Sequence, residues 1–426
     1  MKNGERRMKK MVLTNKFMFR GVGQGLFYVG HIDNGMFNFV YDCGIWDSLH
    51  KNESEKRKEE IERKIINQEY KDVKFDFITI SHLHEDHVNL LPEMLKKLKN
   101  TGKIYFPYFP KDKINVLKAY LVINNIKPDL SDGSLYQIFV QFYNRQTRIV
   151  LGDGTIINID NVIFVGGDEQ NDFPYRQEIY QQDITKDKKI IDIWYFKFFN
   201  KHINDEIIQK LEYEISKILK KYGEKTLEDY LKVDTANRIK KIKEQFEKYN
   251  CANNITSLLL LHHPPMGPET LLSGDAEFDL DLEKRVLQEL TDNKYQDTNK
   301  YQELAIFQVP HHGSKKNWEK ISGDWKYKPN KLIFSFGLSN RFGHPSPIFY
   351  NELKQKRLNL NQLCLVFYDE SLSEHECEHY FMYCIDKNKC YYCLDNDEDC
   401  SICLVSSLNR NSPKLVNKHH SPSSLL

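Results

Sequence analysis

The chain has 426 residues, 40% of them hydrophobic and 28% charged, which is the composition of a folded globule with a large buried core. Its 61 Lys and Arg residues nearly balance its 60 Asp and Glu residues, and the net charge of +1 excludes a generally basic protein that coats nucleic acid. No apolar run approaches the about 20 residues of a membrane-spanning helix, so we expect no membrane association. The basic N-terminus precedes no apolar segment of signal-peptide length, which predicts a cytoplasmic location.

The first part of the chain alternates between strand and helix signals. Residues 11–44 predict strands around a glycine-rich segment at 21–25. Apolar segments predict further strands at 75–80 and 104–108, and leucines at helical spacing predict a helix between them. The order strand, helix, strand predicts a βαβ-like unit.

The middle and the end of the chain differ in composition. A turn at 152–154 predicts a hairpin within 148–165, and alternating lysines and glutamates predict a largely helical insertion over 168–250. The apolar stripe of its amphipathic helix is Ile208, Leu211, Ile215, Ile218 and Leu219. Strands are predicted again at 257–261, 305–309, 331–336 and 363–368. Residues 405–426 are rich in Ser, Asn, Pro and Lys and predict a disordered tail.

The strongest signal is the pattern His82-x-His84-x-Asp86-His87, which directly follows the strand predicted at 75–80. Side chains alternate along an extended strand, so His82 and His84 point to the same side and can bind one divalent ion. Asp86 and His87 come where the chain turns into a helix and can reach a second ion nearby. Imidazole and carboxylate ligands suit Zn, Mn or Fe, and the pattern therefore predicts a site for two metal ions.

This pattern resembles the signature of the metallo-β-lactamase fold superfamily, and the resemblance covers most of residues 18–350. It implies that Asp42, after an apolar strand, supports the metal ligands by hydrogen bonding. It also implies that Asp275, in the segment Ser273-Gly274-Asp275, bridges the two metals.

Several shorter motifs resemble the metallo-β-lactamase-like domain of the competence protein ComEC and its stand-alone relatives. In chain order they are Gly23-Gln24-Gly25, Asn254-x-x-Ser257, Leu272-Ser-Gly-Asp275, Pro310-His-His-Gly-Ser314 and Asn340-x-x-Gly343-His-Pro345. The resemblance places Asn254 where many superfamily members carry a histidine that ligates the first metal. An amide oxygen binds these ions less well than imidazole does, which predicts a labile first metal and favours Mn beside Zn.

A late histidine should complete the second metal, and His311, His312 and His344 compete for that place. Adjacent residues of a strand point to opposite faces, so we expect only one of His311 and His312 to meet the metal. His344, in a Gly-His-Pro turn, could ligate, donate a proton to the leaving group or bind a phosphate oxygen. For the pair His262-His263, we expect a role in capping the end of its strand before the loop at Pro264, with entry into the site as the alternative.

Seven of the nine cysteines fall after residue 360, which in a cytosolic chain points to metal or redox chemistry before disulfides. The pairs Cys390-x-x-Cys393 and Cys400-x-x-Cys403 could together bind one structural zinc ion. The alternative is free thiols on a terminal strand pair. A zinc module here could mediate contact with a protein partner.

The resemblance implies an α/β fold, an αββα sandwich with a hydrolase domain over 12–365, the insertion at 168–250 and a Cys-rich appendage over 366–404. The leading functional prediction is a dinuclear Zn or Mn hydrolase whose metal-bound hydroxide cleaves phosphodiesters, with a nucleic acid or nucleotide as the anionic substrate. Asp86 and Asp275 would fix the metals and orient the hydroxide. One alternative is a hydrolase of a small ester, lactone, thioester or β-lactam. The other is a metal-binding component of a multi-protein defence or DNA-uptake system.

Overall fold

The computed structural model describes residues 12–45, 59–60, 62–146, 148–166, 172–180, 188–201, 204–249, 251, 256–264, 269–292, 304–315, 317, 329, 331–337, 346, 363–368, 377–384 and 389–394. Over these residues the chain forms an eight-stranded sheet, a seven-stranded sheet and a two-stranded hairpin, accompanied by helices.

The first sheet is antiparallel on one side and parallel on the other. In spatial order its strands are β17 (Lys389–Leu394), β16 (Cys377–Cys384), β1 (Val12–Phe19), β2 (Phe27–Ile32), β3 (Phe37–Cys43), β4 (Phe75–Thr79), β5 (Leu98–Pro107) and β8 (Val162–Val165). Neighbours from β3 to β8 run parallel. Strands β4 and β5, with the helices between them, form the predicted βαβ unit.

The second sheet is also mixed, with parallel pairing from β12 to β15. In spatial order its strands are β15 (Leu363–Tyr368), β14 (Lys331–Gly337), β13 (Leu304–Gln308), β12 (Glu269–Leu272), β11 (Ser257–His263), β10 (Lys188–Lys201) and β9 (Asp172–Tyr180). Strands β6 (Arg148–Val150) and β7 (Ile156–Asn158) form the hairpin that the 152–154 turn predicted.

The α-helices lie mainly between β4 and β11. They are α1 (Glu85–Val88), α2 (Leu91–Leu95), α3 (Ile114–Ile123), α4 (Leu135–Tyr143), α5 (Asp205–Lys221), α6 (Leu227–Leu231), α7 (Thr235–Lys248) and α8 (Leu280–Asp292). A π-helix spans Glu62–Glu69, and 3-10 turns span Lys111–Lys113, Ile159–Asn161 and Pro310–Gly313. Among the described helices, none is both long and apolar enough to cross a lipid bilayer.

Three apolar cores separate the layers, because successive side chains of each central strand face opposite sides. In β11, Leu258 and Leu260 pack with Trp194 and the aromatic residues of the first sheet, whereas Leu259 and Leu261 pack against α8. The other face of the first sheet packs against α1 to α7. This order of helix, sheet, sheet and helix confirms the predicted αββα sandwich. Replacing Trp194 by alanine would cost about 3–5 kcal/mol of unfolding free energy.

The segment predicted as a helical insertion is divided between two kinds of structure. Residues 172–180 form β9 and residues 188–201 form β10, which pairs with β11, whereas the described helices of this segment begin at Asp205. The alternation of apolar residues in Lys188–Lys201 has the period of a strand. The prediction of helix for this part was wrong because it rested on the highly charged residues that follow. Helix α5 matches its prediction, since Ile208, Leu211, Ile215 and Leu219 are buried and Asn204 caps its N-terminus.

The C-terminal segment predicted as an appendage also contributes strands. Its residues Cys377–Cys384 form β16, which pairs antiparallel with β1 and thereby extends the first sheet. Strand β17 pairs with β16 and contains Cys390 and Cys393. The separation of this segment as a domain remains a prediction.

The parallel strands end at one common edge of the sandwich. Strand β3 ends at Cys43, β4 at Thr79, β12 at Leu272 and β13 at Gln308, and the predicted site residues lie at these strand ends or shortly after them. Strand β11 joins the two sheets at this edge, because the Leu258 N–H donates to the Ser81 carbonyl oxygen over 2.7 Å. The topology thus brings together residues that are more than 200 positions apart in the sequence.

Candidate metal centre

The turn after β4 brings three histidines close together. His84 is extended, with φ −89° and ψ 147°, and helix α1 begins at the next residue. The ring centroids of His82 and His84 are 4.4 Å apart, and those of His82 and His87 are 4.1 Å apart. The extended pair followed by a helical turn is the arrangement that the sequence pattern predicted.

Two sets of potential ligand atoms lie side by side. We call His82, His84 and Asp275 the first group, and Asp86, His87 and His312 the second group; within each, the ligand atoms lie within 4.8 Å of one another. The carboxylate of Asp275 faces both. Its Oδ2 lies 3.6 Å from His82 Nε2, and its Oδ1 lies 3.2 Å from His87 Nε2 and 3.7 Å from His312 Nε2.

The Nε2 atoms of the four histidines fit a bound cation. The Nε2 atoms of His82, His84, His87 and His312 are buried, and none makes a hydrogen bond to another described residue. Burying a polar atom without a hydrogen bond costs about 1–3 kcal/mol, so four such atoms around one small space are costly unless a ligand satisfies them. Imidazole nitrogens together with carboxylate oxygens are the donors that Zn, Mn and Fe accept.

Asp42 orients His87 of the second group by accepting a hydrogen bond from the ring nitrogen that faces away from Asp275. Its buried carboxylate Oδ2 accepts a hydrogen bond from His87 Nδ1 over 2.7 Å, and Ser81 N donates to its Oδ1 over 2.6 Å. Asp42 itself has a left-handed backbone, with φ 56°, which turns the chain at the end of β3. Burial raises the pKa of Asp42, although the contact with His87 favours its carboxylate form.

His312 is oriented by the end of β14. Its Nδ1 donates to the backbone carbonyl of Ser335 over 2.7 Å, which leaves Nε2 directed at the second group. The Ser335 hydroxyl donates in turn to the carbonyl of Gly25 over 2.6 Å. The glycine-rich segment is therefore tied to the metal centre through Ser335.

The loop that carries Asp275 is held by a buried glutamine. Gln308 Oε1 accepts from Ser273 N over 2.8 Å, and Gln308 Nε2 donates to the carbonyls of Gly274 and Val309. The Ser273 hydroxyl donates to the backbone carbonyl of Gln308 over 2.6 Å. These bonds fix the end of β12 against the end of β13.

Glycine is required where the backbone passes closest to Asp86. A Cβ on Gly44 would overlap the carbonyl oxygen of Asp86, and a Cβ on Gly25 would overlap the carbonyl oxygen of Gly44. The same Asp86 oxygen accepts from Leu26 N over 3.2 Å. Close packing of these backbones therefore places the start of α1.

The expectation that His311 and His312 lie on a strand is wrong. They form a tight turn after β13, and both have left-handed backbones, with φ 52° and 54°. Strand alternation therefore does not separate their rings. His311 Nδ1 lies 3.1 Å from Asp275 Oδ2, and His312 Nε2 lies 3.5 Å from Asp86 Oδ2. The His311 side chain is 27% exposed, whereas that of His312 is 3% exposed.

The pKa values of His82 and His84 in the first group and of His87 in the second group are shifted in opposite directions. Burial lowers the pKa of His82 well below its usual range and that of His84 to about 4, because the imidazolium ion loses its hydration. Burial also opposes the charged form of His87, but Asp275 and Asp42 outweigh it and raise the pKa of His87 well above its usual range. Burial likewise opposes the carboxylate of Asp275, but the surrounding histidines, His311 foremost, lower its pKa well below the usual value.

Other predicted residues lie elsewhere or outside the described part of the chain. His262 is buried in the core between the sheets, where Trp194 Nε1 donates to its Nδ1 and Tyr28 Oη lies 2.9 Å from its Nε2. His262 therefore lies in the core and not in the site, whereas His263 Nδ1 donates to the Pro264 carbonyl over 2.7 Å at the end of β11. Asn254 and His344 fall outside the described residues, as do Cys400 and Cys403, and the side chains of Cys390 and Cys393 are not described.

Three residues of the centre were missed in the sequence. Ser81 directly precedes the histidine pattern, Gln308 interrupts the apolar strand 305–309, and Ser335 interrupts the apolar strand 331–336. A polar residue inside a buried strand is the signal that could have identified the last two, because such a residue must find a hydrogen-bond partner.

No family model matches the sequence, and no curated protein matches it. Among solved structures, the chain is similar to the metallo-beta-lactamase fold protein YhfI from Bacillus subtilis, at 8% identity and a TM-score of 0.36, over 87% of this chain and 100% of that chain. It is also similar to unliganded yeast PDE1, at 13% identity and a TM-score of 0.32, over 86% of this chain and 91% of that chain. Similarity this low transfers no activity to this chain.

Proposed function

We propose that this protein is a hydrolase that depends on two divalent metal ions and cleaves phosphodiesters. His82 and His84 would hold one ion, and Asp86, His87 and His312 would hold the other. Asp275 would be shared between them. Zn and Mn are the candidate ions, since both accept nitrogen and oxygen donors.

The observation that carries this proposal is the position of the Asp275 carboxylate. One of its oxygens faces His82 and the other faces His87 and His312, and the Nε2 atoms of all three histidines are buried without a hydrogen bond to any described residue. A carboxylate that paired with a single histidine would need only one of its oxygens near a ring, whereas the two oxygens of Asp275 lie near different histidines. Ions bound at both groups would lower the pKa of a water molecule and stabilise the charge that develops on an ester undergoing hydrolysis.

Charge balance favours an anionic substrate over a neutral one. Asp86, Asp275 and the Asp42 carboxylate behind His87 carry three negative charges against the four positive charges of two divalent ions, and the histidine ligands are neutral when they bind metal. The adjacent His311 side chain is partly exposed, and Lys315 is exposed shortly after it. Two divalent ions and these basic side chains would attract the negative charge of a phosphodiester.

The chain's own residues would perform the positioning. Asp42 holds the Nδ1 proton of His87, and the Ser335 carbonyl holds that of His312, so that both Nε2 lone pairs face the second group. His311 lies at the open side of Asp275 and could donate a hydrogen bond to a phosphoryl oxygen. His344 remains a candidate proton donor outside the described residues.

The test is hydrolysis of bis-p-nitrophenyl phosphate by the purified full chain with added Mn or Zn. The variant His84→Ala removes one ligand, and His263→Ala is the matched control, since His263 contacts Tyr195 and Pro264 away from the site. We expect ion-dependent turnover in the wild type and the control, and its loss in His84→Ala. Metal content and circular dichroism of each variant separate lost chemistry from lost folding.

A metal-loaded wild type that fails to cleave the phosphodiester would contradict the proposal. Parallel assays with p-nitrophenyl acetate, a lactone, a thioester and a β-lactam would then identify a carbonyl substrate. A protein that retains no ion after loading and desalting would refute the metal centre itself.

A further inference from the structure

We propose that Ser81 is a positioning residue that links the two groups, because it fixes the imidazole tautomer of His82 through the same carboxylate that fixes His87. Its effect on metal affinity rests on the proposed function, whereas its effect on the tautomer does not. Ser81 is fully buried and lies between β4 and the histidine pattern.

The direction of each hydrogen bond follows from the chemistry of the groups. Ser81 Oγ lies 2.5 Å from Asp42 Oδ2, and a carboxylate can only accept, so the single hydroxyl proton of Ser81 points to Asp42. Ser81 Oγ also lies 2.9 Å from His82 Nδ1. Since the hydroxyl proton is already used, Ser81 Oγ must accept there, and His82 must carry its proton on Nδ1.

Three donors surround Asp42, which is the environment of a carboxylate. Ser81 N points to Oδ1 over 2.6 Å, while the Ser81 hydroxyl and His87 Nδ1 both point to Oδ2. The distance between Ser81 Oγ and His87 Nδ1 is 3.5 Å, which is too long for a strong hydrogen bond. One carboxylate oxygen therefore holds His87 directly and His82 through Ser81.

The consequence for the ligands is the same on both sides. With protons fixed on Nδ1, the rings of His82 and His87 present unprotonated Nε2 atoms to the first and the second group once each ring is neutral, which for His87 requires the release of its second proton. The surrounding backbone preserves this arrangement, because a Cβ on Gly274 would lie 2.5 Å from Ser81 Oγ. Gly274 directly precedes Asp275, and its lack of a side chain leaves room for the Ser81 hydroxyl.

The first measurement is the ¹⁵N chemical shifts of the imidazole nitrogens in the metal-free full chain. We expect His82 of the wild type to be a single neutral tautomer with its proton on Nδ1, and His82 of Ser81→Ala to populate both tautomers. Ser257→Ala is the matched control, because it removes a buried serine hydroxyl that makes no hydrogen bond with a described residue. An unchanged His82 tautomer in Ser81→Ala would overturn the inference.

The second measurement is metal stoichiometry at controlled free Zn or Mn. Loss of a group that orients a ligand typically weakens metal binding about 10–100-fold. We expect that loss at one ion of Ser81→Ala, with the other ion retained because His87 still donates to Asp42, whereas Asp42→Asn should weaken both. Equal retention of both ions in Ser81→Ala would contradict the coupling. A wild type that binds no ion would refute the proposed function, while the tautomer measurement would still decide the role of Ser81.

Discussion

The two groups of the candidate centre use similar donors but differ in how firmly the donors are held. In the second group, Asp42 orients His87 directly and a backbone carbonyl orients His312. In the first group, His82 Nδ1 is held through a serine, and His84 Nε2 is buried without a hydrogen bond to a described residue. Preorganised ligands lose less freedom when they bind, so we expect the second group to bind its ion more tightly.

The largest effect should come from Asp275→Asn, because the Asp275 carboxylate faces histidines of both groups. The substitution keeps the shape and removes the charge that offsets two ions. We expect the loss of both ions by elemental analysis, and a fall in affinity greater than the about 10–100-fold that removal of an outer partner causes. Loss of only one ion would show that Asp275 does not serve both groups.

The next effect tests the comparison itself by removing one ligand from each group. His312→Ala should release the tightly bound ion, whereas His84→Ala should release the ion that exchanges more readily. We expect a chelator titration to show one weak and one tight ion in the wild type, only the weak ion in His312→Ala and only the tight ion in His84→Ala. The reverse assignment would mean that preorganisation does not determine affinity here.

A smaller effect concerns pH. The raised pKa of His87 means that it is protonated in the metal-free protein near neutral pH, whereas the lowered pKa values of His82 and His84 keep both rings neutral. Binding at the second group should therefore release about one proton and weaken about tenfold per pH unit as the pH falls. Calorimetry in buffers of different ionisation enthalpy measures this proton release, and we expect none at the first group.

The same pKa shift affects the stability of the metal-free protein. Because the folded-state pKa of His87 is raised, its charge stabilises the fold fully below the unfolded value of about 6.5, and this stabilisation is lost as the pH rises through the raised value. The difference in unfolding free energy between wild type and His87→Gln, measured with denaturant over this pH range, should shrink at high pH. A difference that does not change with pH would show that the charge of His87 does not stabilise the fold.

The smallest effect should come from Lys315→Ala. This exposed lysine follows the His311 turn and would attract an anionic substrate. We expect KM to rise a few-fold at low salt with kcat unchanged, and the difference to shrink at high salt because mobile ions screen exposed charges. Equal KM values for wild type and Lys315→Ala at low salt would show that Lys315 does not attract the substrate.

Local patterns in the sequence predicted the candidate ligands, and the family resemblance implied the support by Asp42, whereas the supports Ser81, Gln308 and Ser335 were not predicted. The spacing of His82, His84, Asp86 and His87 specifies an extended segment followed by a helical turn, and both formed as expected. Asp42 contacts Ser81 because β3 and β4 are parallel neighbours in the first sheet. Gln308 contacts Ser273 because β12 and β13 are parallel neighbours in the second sheet. Such contacts depend on strand pairing, which residue spacing does not encode.

The errors have a similar origin. The spacing of His311 and His312 was read with the alternation of a strand, whereas Pro310 and Gly313 bracket a left-handed turn that directs both rings to the same centre. The strands at 172–180 and 188–201 lie in a segment whose later residues predict helix, although β10 has its own alternation of apolar residues. Pro310 marks the end of the strand before the histidine turn, and Asn204 marks the start of the helix after β10. Neither the strand pattern nor the helix pattern continues across these residues.

Strand β1 has a consequence for how the chain is made. Its neighbour β16 lies more than 350 positions later in the sequence, with Val12 opposite Cys384. During synthesis, one edge of β1 therefore stays open until nearly all of the other described strands have left the ribosome. An open strand edge invites pairing with other chains, and closing so long a loop is slow. Premature termination before residue 377 should thus yield chains that aggregate, even though their metal ligands are complete.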